Sequence, residues 1–144
     1  MSQESKLMQL IKQQIDIERD QVKRLIEARK KVRVAAARLL ILEICLDSEK
    51  HAAILTEMLE ILKKVPPDTS LWEHELEEYV GEALARKEFE EHVTTESDVL
   101  TRLKEELKHT KDESLKLLLQ NIEEDEKKHH GIIQTIIHNL YKME

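Results

Sequence analysis

Apolar residues recur every three or four positions along nearly the whole chain, the spacing of one face of an α-helix. Leu7, Ile11, Ile15, Val22 and Leu25 form a first stripe, and Ala37, Leu40, Ile44, Leu55, Met58 and Leu62 a second. Phe89, Val93, Leu100, Leu103 and Leu107 form a third, and Leu115, Leu118, Ile122, Ile133, Ile136 and Leu140 a fourth. The β-branched, charged run KKVRV (30–34) predicts one short turn, and the polar run KHTKDES (108–114) another. Pro66-Pro67 ends the second helix, because proline has no backbone N–H and disfavours helical geometry in the residue before it. Asp68, Thr69 and Ser70 then offer N-caps to a short helix over LWEHELEEYV, and Gly81 marks a break. The expected fold is therefore all-α, with helices at about 3–30, 34–64, 82–108 and 113–142 and a crossover at 65–81 that carries the extra helix. Short turns imply antiparallel neighbours. Residues 1–144 then make a single four-helix bundle domain, two helix hairpins joined by one long crossover.

The two halves repeat. Residues 47–55 read DSEKHAAIL and residues 125–133 read DEKKHHGII. One shift of 78 positions carries Asp47 onto Asp125 and His51 onto His129. Without a gap it also carries Glu18 onto Glu96, Ile11 onto Phe89, Ile15 onto Val93, Leu40 onto Leu118 and Leu55 onto Ile133. Any two amphipathic helices can be slid into phase on their leucines. The polar matches are what mark a duplicated hairpin.

Those polar residues stand where apolar ones belong. On a helix that turns about 100° per residue, Ile11, Val22 and Leu25 lie within about 40° of Glu18. Glu96 holds the same place among Phe89, Val93, Leu100 and Leu103. His51 lies within about 40° of Leu40, Ile44, Leu55, Met58 and Leu62, and His129 holds the matching place on the fourth helix. Glu126, three residues before His129, shares its face. Isolated carboxylates are not buried without compensation, because desolvating the charge costs several kcal/mol. A bound metal is the usual compensation, and imidazole with carboxylate suits iron, manganese or zinc.

With these residues in view, the chain resembles the ferritin-like, and specifically the rubrerythrin-like, di-iron carboxylate proteins. That family draws a glutamate from each of two helices and a Glu-x-x-His pair from each of the other two. Glu18 and Glu96 match the single glutamates, Glu126 and His129 match the fourth-helix pair, and His51 matches the second-helix histidine. The resemblance covers nearly the whole chain apart from the crossover. It departs at position 48, where serine stands in place of the bridging glutamate. Asp47 and His92, each about 40° off its stripe centre, are the available substitute ligands. Asp125 and Ser48 are expected behind the ligands, where acids of this family orient the imidazoles, and a partly exposed flank position stays open for Asp47 and Asp125. His130 reads as a rim residue. His74, His109 and His138 read as surface, Cys45 as helix packing, and Tyr79 and Tyr141 carry no redox role.

Composition narrows the function classes. The single cysteine excludes an internal disulfide and the Cys-x-x-Cys pairs of a rubredoxin module, so redox turnover would need an external electron donor. A net charge of −7 argues against nucleic acid as a partner. No stretch has the roughly 18 uncharged apolar residues of a membrane span, and the N-terminus lacks a signal-peptide core, so the expected location is cytoplasmic. The resemblance implies an iron protein holding one or two ions, with manganese or zinc as substitutes. It would oxidise Fe(II) or reduce peroxide or dioxygen. Ser48 keeps a second reading open, a ferritin-like scaffold with a degenerate site that serves a structural or metal-sensing role. A third is a plain bundle that forms a homodimer through Leu10, Leu39, Leu42 and Ile61.

Overall fold

The computed structural model describes residues 3–66, 69–75 and 82–141. Four α-helices account for nearly all of these residues: α1 (Gln3–Lys30), α2 (Ala35–Leu62), α3 (Glu82–Lys108) and α4 (Glu113–Tyr141). Among the described residues there is no strand, as the helical periodicity requires. Among the described residues no helix is long and apolar enough to cross a membrane. The chain divides into two compact units, Met1–His74 and Glu75–Glu144.

In the first unit α1 and α2 form an antiparallel hairpin. Ile11 and Ile15 of α1 are buried with Leu59 of α2, and Met8, Leu55 and Leu62 pack around them. Each such side chain contributes roughly 1.5–3 kcal/mol when fully buried. The turn between the helices is tied by arginines. Arg38 Nε donates to the Val32 carbonyl at 2.7 Å, and Arg29 Nε donates to the Arg38 carbonyl at 3.3 Å. Arg29 and Lys30 also place positive charge on the last turn of α1, where the helix dipole favours it.

The buried face of α2 is not the one expected. Cys45, Ser48, Ala52 and Leu59 are buried, and these lie about 60–120° around the helix from His51. Ile44 and Met58, expected inside, are exposed. The reason lies in LLILEICL (39–46), which is apolar almost all the way round, so its period marks no single face. The side chains buried at 45, 48 and 52 are all small. Leu10 and Leu39 of the dimer reading are exposed, while Leu42 and Ile61 are half-buried.

The crossover also differs. Ser70 Oγ accepts from the Trp72 amide at 3.3 Å, and Glu73 N donates to the Ser70 carbonyl at 3.0 Å. Residues 70–74 thus form two overlapping turns, and 71–75, the described part of the helix expected there, are not helical. Two short turns of this kind gain too few backbone bonds to offset the ordering cost of a helix. Pro67, Asp68, Gly81, Tyr79 and the rest of that segment lie outside the described residues.

In the second unit α3 and α4 are again antiparallel, with the Arg86 guanidinium 4.8 Å from the centre of the Tyr141 ring. Leu103 is buried, and no described residue of α4 is fully buried, although its apolar stripe suggested several. Asp112 caps α4. Its Oδ1 accepts from the Leu115 amide at 3.0 Å and from the Ser114 hydroxyl. These bonds hold the Asp112 carboxyl below the usual carboxylate range, the Ser114 hydroxyl contributing most. A depressed folded pKa stabilises the fold above the unfolded value of about 3.9 and loses that contribution as pH falls through the folded value. Asp112→Ala is thus expected to speed amide exchange at Leu115 at neutral pH and to remove this component of the acid transition below about pH 4. Hydrogen exchange at two pH values measures both.

Gly131 is the one glycine with a described environment, and it sits inside α4. A Cβ built there meets nothing within 4 Å. Gly131→Ala is therefore expected to raise stability by about 1 kcal/mol, the helix-propensity difference, and urea unfolding measures it. A loss instead would show that α4 needs flexibility beside His129 and His130.

Candidate metal centre

Glu96, near the middle of α3, is 1% exposed, the largest side chain so completely buried among the described residues. Helical periodicity puts it there, since it shares a face with Leu103 two turns on. His92, one turn earlier, brings Nε2 to 2.8 Å from Oε1 of Glu96. His130 of α4 brings Nδ1 to 3.6 Å from Oε2. Despite these approaches, neither carboxylate oxygen has a hydrogen-bond partner of acceptable geometry. A buried carboxylate in that condition costs several kcal/mol unless something else compensates it.

Glu126 and His129 stand on α4 at the expected i, i+3 spacing, with Oε1 and Nδ1 3.9 Å apart. One donor atom each from Glu96, Glu126 and His129 lies within 4.8 Å of the others. Donors bound at ~2.0–2.2 Å to a transition ion are about 3–4.4 Å apart, so side-chain adjustments on the order of 1 Å close the set. The residues fit a metal on two counts. The donors are carboxylate and imidazole, and the most buried of them has oxygens that no protein group satisfies. Asp125 is half-buried on the residue before Glu126.

The first hairpin repeats part of this arrangement. Glu18 Oε1 lies 3.6 Å from His51 Nδ1, and Gln14 Nε2 donates to the same oxygen at 3.1 Å. Gln14 and His92 are equivalent under the 78-residue shift, so each helix meets its inward glutamate with a polar side chain one turn earlier. Glu18, Asp47, Ser48 and His51 line an open cleft of about 430 Å³. Asp47 pairs with Lys50 of its own helix at 3.6 Å. Among the described residues, no third carboxylate, imidazole or thiolate closes on Glu18 and His51 as tightly as the set in the second hairpin. Ser48 is buried where the second hairpin has Glu126.

Sequence reasoning expected the histidines inside. The side chains of His51, His92 and His129 are instead about half exposed, at 51%, 54% and 49%. An imidazole on a stripe edge can reach a buried carboxylate with its ring tip while its face stays in water. The residue that the stripe missed is His130, placed at the rim by its 100° offset from His129. Its signal is in the repeat, where it replaces Ala52 of the first hairpin. No protein-family model, no curated protein and no solved structure matches the chain.

Proposed function

We propose that this chain is a metal-binding helical protein of the rubrerythrin-like kind. Iron is held by Glu96, Glu126 and His129, and the protein acts on Fe(II), peroxide or dioxygen. The observation that carries the reading is the Glu96 carboxylate, wholly buried with no hydrogen bond of good geometry to either oxygen and only imidazoles near them, beside a second carboxylate and an imidazole. Bound iron supplies reversible one-electron change and a coordination position open to a small oxidant. Glu96 and Glu126 provide two negative charges that balance a divalent cation, and His129 provides the softer nitrogen. The half-exposed rings of His92 and His129 leave the approach open to molecules the size of peroxide. Cys45 is the single cysteine of these 144 residues, which therefore carry no Cys-x-x-Cys pair.

A degenerate, non-catalytic scaffold is the second reading, and the buried serine at position 48 favours it. Anaerobic loading with Fe(II), removal of loose metal and elemental analysis separate the two. The iron reading expects one tightly held iron per chain, which then oxidises on exposure to oxygen or peroxide. Bound metal that never changes oxidation state leaves the sensing scaffold. No retained iron and no retained zinc overturns both metal readings.

A further inference from the structure

We propose that His130, together with His92, is a metal ligand, so that the second hairpin alone completes a nitrogen-rich site centred on Glu96 for a divalent first-row transition ion. This rests on the metal-binding reading above and adds to it the donor set and its confinement to one hairpin. Three observations converge. The Glu96 carboxylate is 1% exposed and neither oxygen is satisfied by a protein hydrogen bond of good geometry, so its lone pairs remain available to an ion. The two imidazoles approach different oxygens of that carboxylate, His92 at 2.8 Å and His130 at 3.6 Å. The His130 separation falls inside the roughly 3–4.4 Å span of two donors on one ion, and the His92 separation of 2.8 Å lies just below it. Finally, the first hairpin lacks these donors at the matched positions, where Gln14, Ala52 and Ser48 stand in place of His92, His130 and Glu126. An amide, a methyl group and a hydroxyl are poor substitutes for imidazole and carboxylate.

Adding His130 changes the chemistry of the site. Three imidazoles with two carboxylates shift preference toward zinc, cobalt, nickel and copper relative to an oxygen-rich set. His129 and His130 are neighbours about 100° apart on α4, yet each brings a ring nitrogen near the Glu96 carboxylate. The His130 side chain is one-third exposed, which leaves it free to swing onto an ion without disturbing a packed core.

The test is anaerobic titration of the full chain with Co(II), read by proton NMR and by visible absorption. Each coordinated imidazole gives one exchangeable ring N–H signal shifted by the paramagnetic ion. Three are expected, and His130→Ala should remove one and weaken Co(II) binding at least about 10-fold. Glu18→Gln and His51→Ala should leave the signals and the affinity unchanged. Helical circular dichroism checks each variant, and His130→Gln replaces His130→Ala if helicity falls. Unchanged signals and affinity in the His130 variant would overturn the inference while leaving the metal reading intact. An equal loss in the Glu18 or His51 variant would also overturn it, by removing the confinement to one hairpin. Wild-type Co(II) binding by Glu96→Gln would overturn both.

Discussion

Glu96→Leu should make the metal-free protein more stable and should abolish its tight metal binding. The two effects share one cause. Glu96 is buried with no hydrogen bond of good geometry and only two partly exposed imidazoles beside it, so an apolar side chain there avoids a desolvation cost that the carboxylate carries. Replacing buried ionic groups with apolar side chains of similar volume is often neutral or stabilising by about 1–4 kcal/mol. Leucine also suits the helix interior and shares a face with buried Leu103. Urea unfolding in the presence of a chelator measures the gain, and metal titration the loss, expected to exceed ~100-fold for a central ligand. A metal-free variant that unfolds more easily than the parent would mean that His92 and His130 already neutralise Glu96, and the case for a metal would lose its main support.

Ser48→Glu is the mirror experiment. It gives the first hairpin the carboxylate that the second has at Glu126, in a cleft already lined by Glu18 and His51. Ser48 is 5% exposed, so the new carboxylate is expected to destabilise the metal-free protein by roughly 1–3 kcal/mol. Metal should then reverse the loss, because an ion at 100 times its Kd stabilises the state it binds by about 2.7 kcal/mol. The expected readout is one additional tightly bound iron per chain and a thermal transition that rises with metal concentration. A variant that stays destabilised and takes up no more metal would show that Glu18 and His51 are an ion pair and not part of a site.

How far the sequence reached depended on what kind of signal each residue carried. Helix existence was plain, because the apolar period is strong and the breaks are chemically distinct. Val34 and Lys63 bound α2 close to where the charged turn and the prolines suggested. Which face is buried was plain for α1, where Ile11 and Ile15 alternate with charge. It was not plain for α2, whose run from Leu39 to Leu46 is apolar on every side, so that only packing against α1 selects Cys45, Ser48 and Ala52. For the candidate site, Glu96, Glu126 and His129 were legible as polar residues on apolar stripes, and the second hairpin brings them together. His130 was not, because a 100° offset looks like the rim until its ring is found 3.6 Å from the Glu96 carboxylate of the partner helix. Asp47 was placed near the site by sequence, yet its charge is engaged by Lys50, an i, i+3 partner that periodicity alone does not rank.

The solitary cysteine has a practical consequence. Cys45 is a free thiol, 6% exposed, on the inner face of α2. It also lines a cleft of about 340 Å³ with Ile26, Arg29 and Leu42, so a reagent that alkylates thiols is expected to reach it slowly in the closed hairpin and faster when the hairpin opens. Trp72, by contrast, is already half in water, so its fluorescence is a poor reporter of unfolding. Thiol-labelling kinetics therefore give the native protein a clock for the opening of one hairpin, with no engineered probe. Run with and without metal, that clock tells whether an ion in the second hairpin slows events in the first.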